Sequence, residues 1–170
     1  MYDVVKGRPH LRVENRVLPA GPTVADTMAN AAFYFGLARA LAEHERPLWS
    51  QMSFSAAEEN FHVAAKQGID ANVYWPGLGQ VPATELVVRR LLPLARAGLD
   101  AWGVLPEESD RLLGIIEKRC VAGQNGASWF ADHFATRIAG NGGDRLDALR
   151  STLNEYRAHM HTNEPVHTWE

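Results

Sequence analysis

The stretch HLRVENRVL, residues 10–18, decides how the fold begins. Apolar and polar residues alternate strictly along it, so one side of an extended chain is apolar and the other is charged. An alternation with period two and β-branched residues predicts a half-buried β-strand. Upstream, Val4–Val5 is a candidate partner strand, with the turn placed at Gly7–Pro9.

Beyond the Pro- and Gly-containing residues 19–22, the apolar period becomes helical and stays helical. Capping residues, glycine stops and apolar stripes predict about six helices, with a kink at Pro93 and a loop over residues 69–81. The fold class is therefore mainly α, with a short N-terminal β strand or hairpin. The chain divides into a strand segment, residues 1–20, and a helical subdomain, residues 21–170. The predicted helices cover about residues 23–43, 55–68, 84–102, 106–123, 127–138 and 144–161.

The sequence makes a specific prediction for three of these helices. The first helix is apolar nearly all round, so we expect neighbours to cover it on most sides. A capping box, Ser55–Glu58, is expected at the start of the second helix. The last helix has the cleanest amphipathic pattern, because its apolar residues recur at steps of three and four. Its predicted inward seam consists of Leu146, Leu149, Leu153, Tyr156 and Met160.

Composition excludes several classes of protein. The chain has 170 residues, 46% of them hydrophobic, and a net charge of −3 with its basic residues scattered, which argues against nucleic-acid binding. The apolar residues 29–42 are interrupted by Asn30 and Arg39, which favours a buried helix over a membrane span. A single cysteine, Cys120, and the lack of an apolar run at the start of the chain predict a cytoplasmic protein.

Arg12, Glu14 and Arg16 form the most informative group of charged residues. The period of a strand places all three on one face, about 7 Å apart from one to the next. A carboxylate between two guanidiniums stays ionised and is a hard oxygen ligand for Mg²⁺, while arginines hold phosphate oxygens. Phosphoryl transfer uses this combination. The alternative is a solvent-facing strand whose charges pair across the ladder.

The R-x-E-x-R pattern on a strand resembles the metal- and phosphate-binding strand of the glutamine synthetase-like ligases. The order of later motifs resembles one branch, the glutamate–cysteine ligase and carboxylate–amine ligase family. The similarity covers nearly the whole chain, and corresponds to the C-terminal half of such an enzyme. The motifs are the Pro/Gly loop and long apolar helix after residue 18, ENFHVAAKQGIDA at 59–71 with VYW at 73–75, LLPLARAGL at 91–99, GQNGASW at 123–129 and EPVHTW at 164–169.

This resemblance implies an α+β fold in which the chain supplies one catalytic strand and a helical buttress. It also implies that Glu14 is a Mg²⁺ ligand that bridges to the phosphates of ATP. Arg12 would contact the nucleotide phosphates, and Arg16 the γ-phosphate and the acyl-phosphate formed from it. The implied reaction is ATP-dependent amide formation between a glutamate-type carboxylate and an amine, as in glutathione-type biosynthesis.

The resemblance further implies that the remaining metal ligands and most of the amino-acid pocket lie in an N-terminal catalytic half, which is the expected partner. The chain alone is then inactive, and its partners are ATP and an amino-acid substrate, with no nucleic acid and no membrane. An uncovered sheet edge and the apolar first helix favour self-association into a homo-oligomer. A second hypothesis is a stand-alone helical protein–protein interaction domain without catalysis.

Other candidate residues carry weaker signals. His159 and His161 are two positions apart and cannot share a helix face, so a metal site at the C-terminus is disfavoured. Ser128 lacks the G-x-S-x-G pattern of a hydrolase nucleophile. Cys120 falls on an inward stripe and is predicted to be a core residue. Trp75, in the predicted loop, either lines a pocket or anchors the loop.

Overall fold

The computed structural model describes residues 2–11, 14–15, 20–140 and 142–170. Helices account for 70% of the residues and strands for 8%, which confirms the mainly α prediction. No helix in these described stretches is long and apolar enough to cross a membrane.

An antiparallel hairpin opens the chain, formed by β1 (Tyr2–Val5) and β2 (Arg8–Leu11). Its turn lies at Lys6 and Gly7, both with positive φ, and not at Gly7–Pro9 as predicted. Two-residue turns of this left-handed kind match the twist of a hairpin, which explains why the turn is tighter than the position of the proline suggested.

The helical body follows, and each predicted helix has a counterpart within the described residues. The helices are α1 (Val24–Ala42), α2 (Phe54–Gln67), α3 (Ala83–Leu86), α4 (Leu92–Ala101), α5 (Pro106–Ala122), α6 (Gly126–Gly140) and α7 (Arg145–Thr162). A π-helical turn, Val87–Leu91, joins α3 to α4, and 3-10 turns cover Leu48–Ser50, Gly68–Asp70 and Val166–Thr168.

Side-chain caps begin four of these helices, among them α6, where the side chain of Asn125 accepts from the N–H groups of Ala127 and Ser128. The hydroxyl of Thr23 accepts a hydrogen bond from the backbone N–H of Asp26 at the start of α1. The carboxylate of Asp144 accepts from two N–H groups at the start of α7. The cap of α2 is Ser53, which accepts from the N–H of Ala56, so the predicted capping box at Ser55 is wrong by two residues.

The region predicted as a loop over residues 69–81 contains a second hairpin. Strand β3 (Asn72–Trp75) pairs antiparallel with β4 (Gly79–Pro82). Glycines at positions 77 and 79 adopt positive φ, which lets the chain reverse within a few residues. The Pro and Gly residues that suggested a loop therefore form the hairpin turn.

At Pro93, where the sequence predicts a kink, the helical hydrogen bonding changes. Pro93 lies in the first turn of α4, directly after the π-helical turn Val87–Leu91. A proline has no N–H to donate, and its ring clashes with the carbonyl four residues earlier in a regular helix. The wider π turn relieves this conflict without ending the helical run.

The main core lies where α1 crosses α4 and α5. Gly36 of α1 lies directly against Ala95 and Gly98 of α4, because a Cβ atom at either glycine would overlap the backbone of the other helix. Leu99 and Ile116 are buried there. Close approach at the two glycines therefore sets the distance between the two central helices.

Two packing predictions are wrong. One face of α1 is open, with Met28 and Phe35 more than half exposed, so α1 is covered on fewer sides than expected. On α7, Leu146 is 67% exposed, and the residues that are buried are Ala148 and Thr152. The hydroxyl of Thr152 donates to the carbonyl of Ala148, which removes the penalty for burying it. Small side chains thus form the fully buried part of α7, while Leu149 and Tyr156 of the predicted seam are half-buried.

Candidate functional site

Only part of the predicted catalytic strand falls in the described residues. Arg12 and Arg16 lie outside them, so their predicted roles stay predictions. Glu14 is exposed and Asn15 is half-buried, and neither belongs to a strand. The predicted strand over residues 10–18 is therefore wrong at these two positions. Its described part ends at Leu11, which pairs with Tyr2, the first residue of β1.

The residues directly before α1 are held against its first turn. The N–H of Gly21 donates to the hydroxyl of Thr27 over 3.0 Å, and a Cβ atom at Gly21 would overlap Asp26. The hydroxyl of Thr23 donates to the carboxylate of Asp26 over 2.8 Å. The start of α1 is therefore an anchored part of the helical body.

The carboxylate of Asp26 is the centre of a buried polar network that the sequence did not predict. Asp26 is fully buried, and Arg119 of α5 donates to its Oδ1 over 2.7 Å. The second terminal nitrogen of Arg119 donates to the side chain of Asn30 over 2.6 Å. The backbone N–H of Val166 donates to Asp26 over 3.1 Å. These bonds tie α1, α5 and the C-terminal tail together, and the charge of Asp26 is paired rather than free for chemistry.

The C-terminal tail packs into an aromatic cluster between α6 and α7. Trp129, Val166 and Trp169 are its buried members. His133 stacks on Trp129 with ring centroids 3.9 Å apart, and His159 stacks on Trp169 at 5.0 Å. The indole N–H of Trp129 donates to the backbone oxygen of Glu170. His133 of α6 and His159 of α7 are therefore packing residues of this cluster.

Three other titratable groups show the effect of burial. Burial raises the pKa of the Cys120 thiol, partly offset by the nearby Arg119, so the thiol is not activated. Burial raises the pKa of Tyr156, and the charge of Asp26 adds to the rise. Burial lowers the pKa of His167, with Lys118 the next cause. None of these shifts produces an activated nucleophile.

Across residues 2–11, 14–15, 20–140 and 142–170, no group of three or more His, Cys, Asp and Glu side chains could hold a metal ion. Glu14 is thus the single described member of the predicted magnesium site. No protein-family model, curated protein or solved structure matches this chain.

Proposed function

We propose that this chain is the C-terminal part of an ATP- and Mg²⁺-dependent ligase of the glutamate–cysteine type, which joins a glutamate-type carboxylate to an amine. The observation that carries the proposal is the exposed hairpin before Glu14. Val4 and Val5 are 50% and 53% exposed. A lone two-stranded hairpin is marginally stable in water, so a hairpin with exposed valines favours a larger sheet completed by an N-terminal half.

The chemistry of Glu14 fits a magnesium ligand. Its carboxylate is exposed to solvent, and Mg²⁺ is commonly bound by one or two carboxylates together with substrate phosphates and water. When bound, the ion neutralises charge that builds up on the transferring phosphoryl group. Further carboxylates would come from the N-terminal half. Glu14 would thus hold one side of the ion.

The two arginines beside Glu14 would hold the phosphates during two steps. First, a carboxylate oxygen of the amino acid attacks the γ-phosphorus of ATP, and the bond to the β–γ bridging oxygen breaks to release ADP. The amine nitrogen then attacks the acyl carbon of the acyl-phosphate, phosphate leaves, and the nitrogen loses a proton. Arg16 would stabilise the charge on the transferred phosphoryl group in both steps, and Arg12 would position the nucleotide phosphates.

The decisive experiment uses the full-length parent protein with glutamate, candidate amines and Mg·ATP. We expect Glu14→Gln to lower amide formation by more than about a hundredfold, since loss of even an outer-shell partner of a metal ligand costs about 10–100-fold. Arg16→Ala should lower kcat by about a thousandfold, the scale of a phosphate-clamping arginine. Both variants should keep the wild-type circular dichroism.

Glu58→Gln, an exposed change on α2, is the matched control and should retain full activity. Wild-type activity in Glu14→Gln would remove this residue from the site. An upstream reading frame without further strands that carry acidic ligands would overturn the ligase proposal as a whole.

The second candidate function is a helical interaction domain, favoured by the exposed apolar seam of α7. Leu146 and Leu153 are 67% and 50% exposed, and Met160 follows them on the same helix. A partner protein could cover such a stripe. Replacing Leu146 and Leu153 by Lys would abolish that association and leave ligase activity unchanged, so the two functions are distinguishable.

A further inference from the structure

An open cavity of about 440 Å³ lies on the helical body. It is formed by the end of α1, the 3-10 turn Leu48–Ser50, the tip of the β3–β4 hairpin and the start of α4. This volume falls within the range of about 300–1,000 Å³ that is usual for small-molecule sites. Glu14, the described residue of the proposed ligase site, does not line it.

The polar lining of the cavity is cationic. Three arginines, Arg46, Arg89 and Arg90, line it together with His44, and no acidic residue of the described part of the chain does. Glu45 lies between His44 and Arg46 in the sequence but does not line the cavity. The chain as a whole has a net charge of −3, so this local excess of positive charge does not follow from composition.

Two of the three guanidinium groups have no counter-ion within the described residues. Arg89 is paired with Glu85 on the outside of the helix, at 2.9 Å. Arg46 and Arg90 form no ion pair with any described residue. Guanidiniums that share a concave site repel one another, and a bound anion removes that repulsion while accepting paired hydrogen bonds.

The backbone that carries Arg46 is held in place by local hydrogen bonds. Nε2 of Gln51 donates to the carbonyl of Arg46 over 2.8 Å. The N–H of Arg46 donates to Nδ1 of His44 over 3.1 Å. The loop that follows α1 therefore presents its arginine from a defined conformation, which lowers the entropy lost on binding.

Part of the cavity lining is apolar and includes an indole ring. Trp75, at the end of β3, lines the cavity together with Leu78 and Leu94. The strand is fixed to α2, because the side chain of Asn60 donates to the carbonyl of Tyr74 over 2.8 Å and accepts from its N–H over 2.7 Å. An indole on such an anchored strand is a stacking surface for a planar ligand.

We propose that this cavity binds a small organic phosphate that carries an aromatic ring, with the phosphate between Arg46 and Arg90 and the ring against Trp75. A phosphate dianion matches two guanidiniums in charge and in hydrogen-bond geometry. A bare anion would leave the apolar wall in water, and a neutral ring would leave the arginines without a counter-ion. This site does not depend on the proposed ligase chemistry, so a failure of the ligase proposal would leave it unaffected.

The test measures binding to the 170-residue chain by isothermal titration and by amide chemical shifts, using three probes. Phenyl phosphate carries both features, inorganic phosphate carries the charge alone, and benzyl alcohol carries the ring alone. We expect phenyl phosphate to bind at least about tenfold more tightly than either of the others, which is about 1.4 kcal/mol. The shifted amides should cluster at residues 44–51, 74–78 and 89–94.

Variants then test the phosphate-binding part and the ring-binding part of the site separately. Arg46→Gln and Arg90→Gln should each weaken phenyl phosphate binding by about tenfold, while Arg157→Gln, an exposed change on α7, should not. Trp75→Leu keeps an apolar side chain on the hairpin and should remove the preference for phenyl phosphate over inorganic phosphate. The proposal is overturned if phenyl phosphate fails to bind at millimolar concentration, if it binds no better than inorganic phosphate, or if Arg157→Gln weakens it as much as Arg90→Gln.

Discussion

Asp26 and Arg119, 93 positions apart in the sequence, form an ion pair that is almost completely shielded from water. We expect Arg119→Met to destabilise the protein by about 3–5 kcal/mol, because it leaves a buried carboxylate without its counter-charge. Urea unfolding followed by circular dichroism measures the change. Arg111→Met is the control, since Arg111 pairs with Glu108 in solvent and should contribute at most about 1 kcal/mol. Equal losses in the two variants would show that the Asp26 network is not a special source of stability.

The crossing of α1 and α4 gives a second prediction. A methyl group at Gly98 would overlap the carbonyl of Gly36, so Gly98→Ala should cost at least about 1–3 kcal/mol. Gly114 also lies in a helix, but a Cβ atom there would meet nothing within 4 Å. Gly114→Ala should therefore stabilise the protein by about 0.4–1 kcal/mol, because it removes backbone freedom from the unfolded chain. Thermal unfolding of both variants checks the opposite signs, and a stabilised Gly98→Ala would contradict the close crossing.

The C-terminal tail gives a third prediction, based on two tryptophans in opposite environments. Trp169 is 6% exposed within the aromatic cluster, and Trp49 is 81% exposed. Trp169→Ala should cost about 3–5 kcal/mol, the usual loss for a buried aromatic residue. Trp49→Ala should change stability by no more than about 0.5 kcal/mol. Denaturant midpoints for the pair would show whether the tail is part of the core, and a neutral Trp169→Ala would mean that it is not.

A fourth prediction concerns pH and His167. Burial, and then the charge of Lys118, lower the pKa of His167 below its ordinary value of 6.5, so the unfolded chain binds a proton more readily than the folded one. Stability from this group is present above pH 6.5, and it is lost as the pH falls through the lower folded pKa. His167→Gln should remove that part of the acid-side loss, and Lys118→Met should reduce it. Urea midpoints between pH 7 and pH 4 measure both effects. If the wild type and the two variants lose the same stability as the pH falls, the loss does not come from His167.

The sequence predicted the helices well because their signals are local. Thr23 and Asp144 are capping residues within a few positions of the N–H groups that they satisfy, and Gly123 ends α5 in the left-handed conformation that glycine favours. The hairpin at residues 72–82 was missed because its turn residues are also typical of irregular loops. A hairpin differs from an irregular loop in the pairing of its two strands, and a pattern of neighbouring residues does not show that pairing.

Packing was harder to predict because periodicity identifies apolar residues without identifying what covers them. On α7 the leucine seam is exposed while Ala148 and Thr152 are buried. The network of Asp26 could not be inferred either, since its partners in α5 and the tail are distant in sequence. For the predicted catalytic group, Glu14 alone falls in the described residues, so the chemical prediction rests on motif order.

The bond between the N–H of Val166 and the carboxylate of Asp26 spans 140 positions of sequence. On a ribosome that adds about 5–20 residues each second, these two groups are made about 7–28 s apart. Until Arg119 is made, 93 positions after Asp26, α1 can form but the carboxylate at its first turn lacks both Arg119 and the tail. The nascent helix must therefore keep this charge hydrated until α5, and then the residues around Val166, have been made.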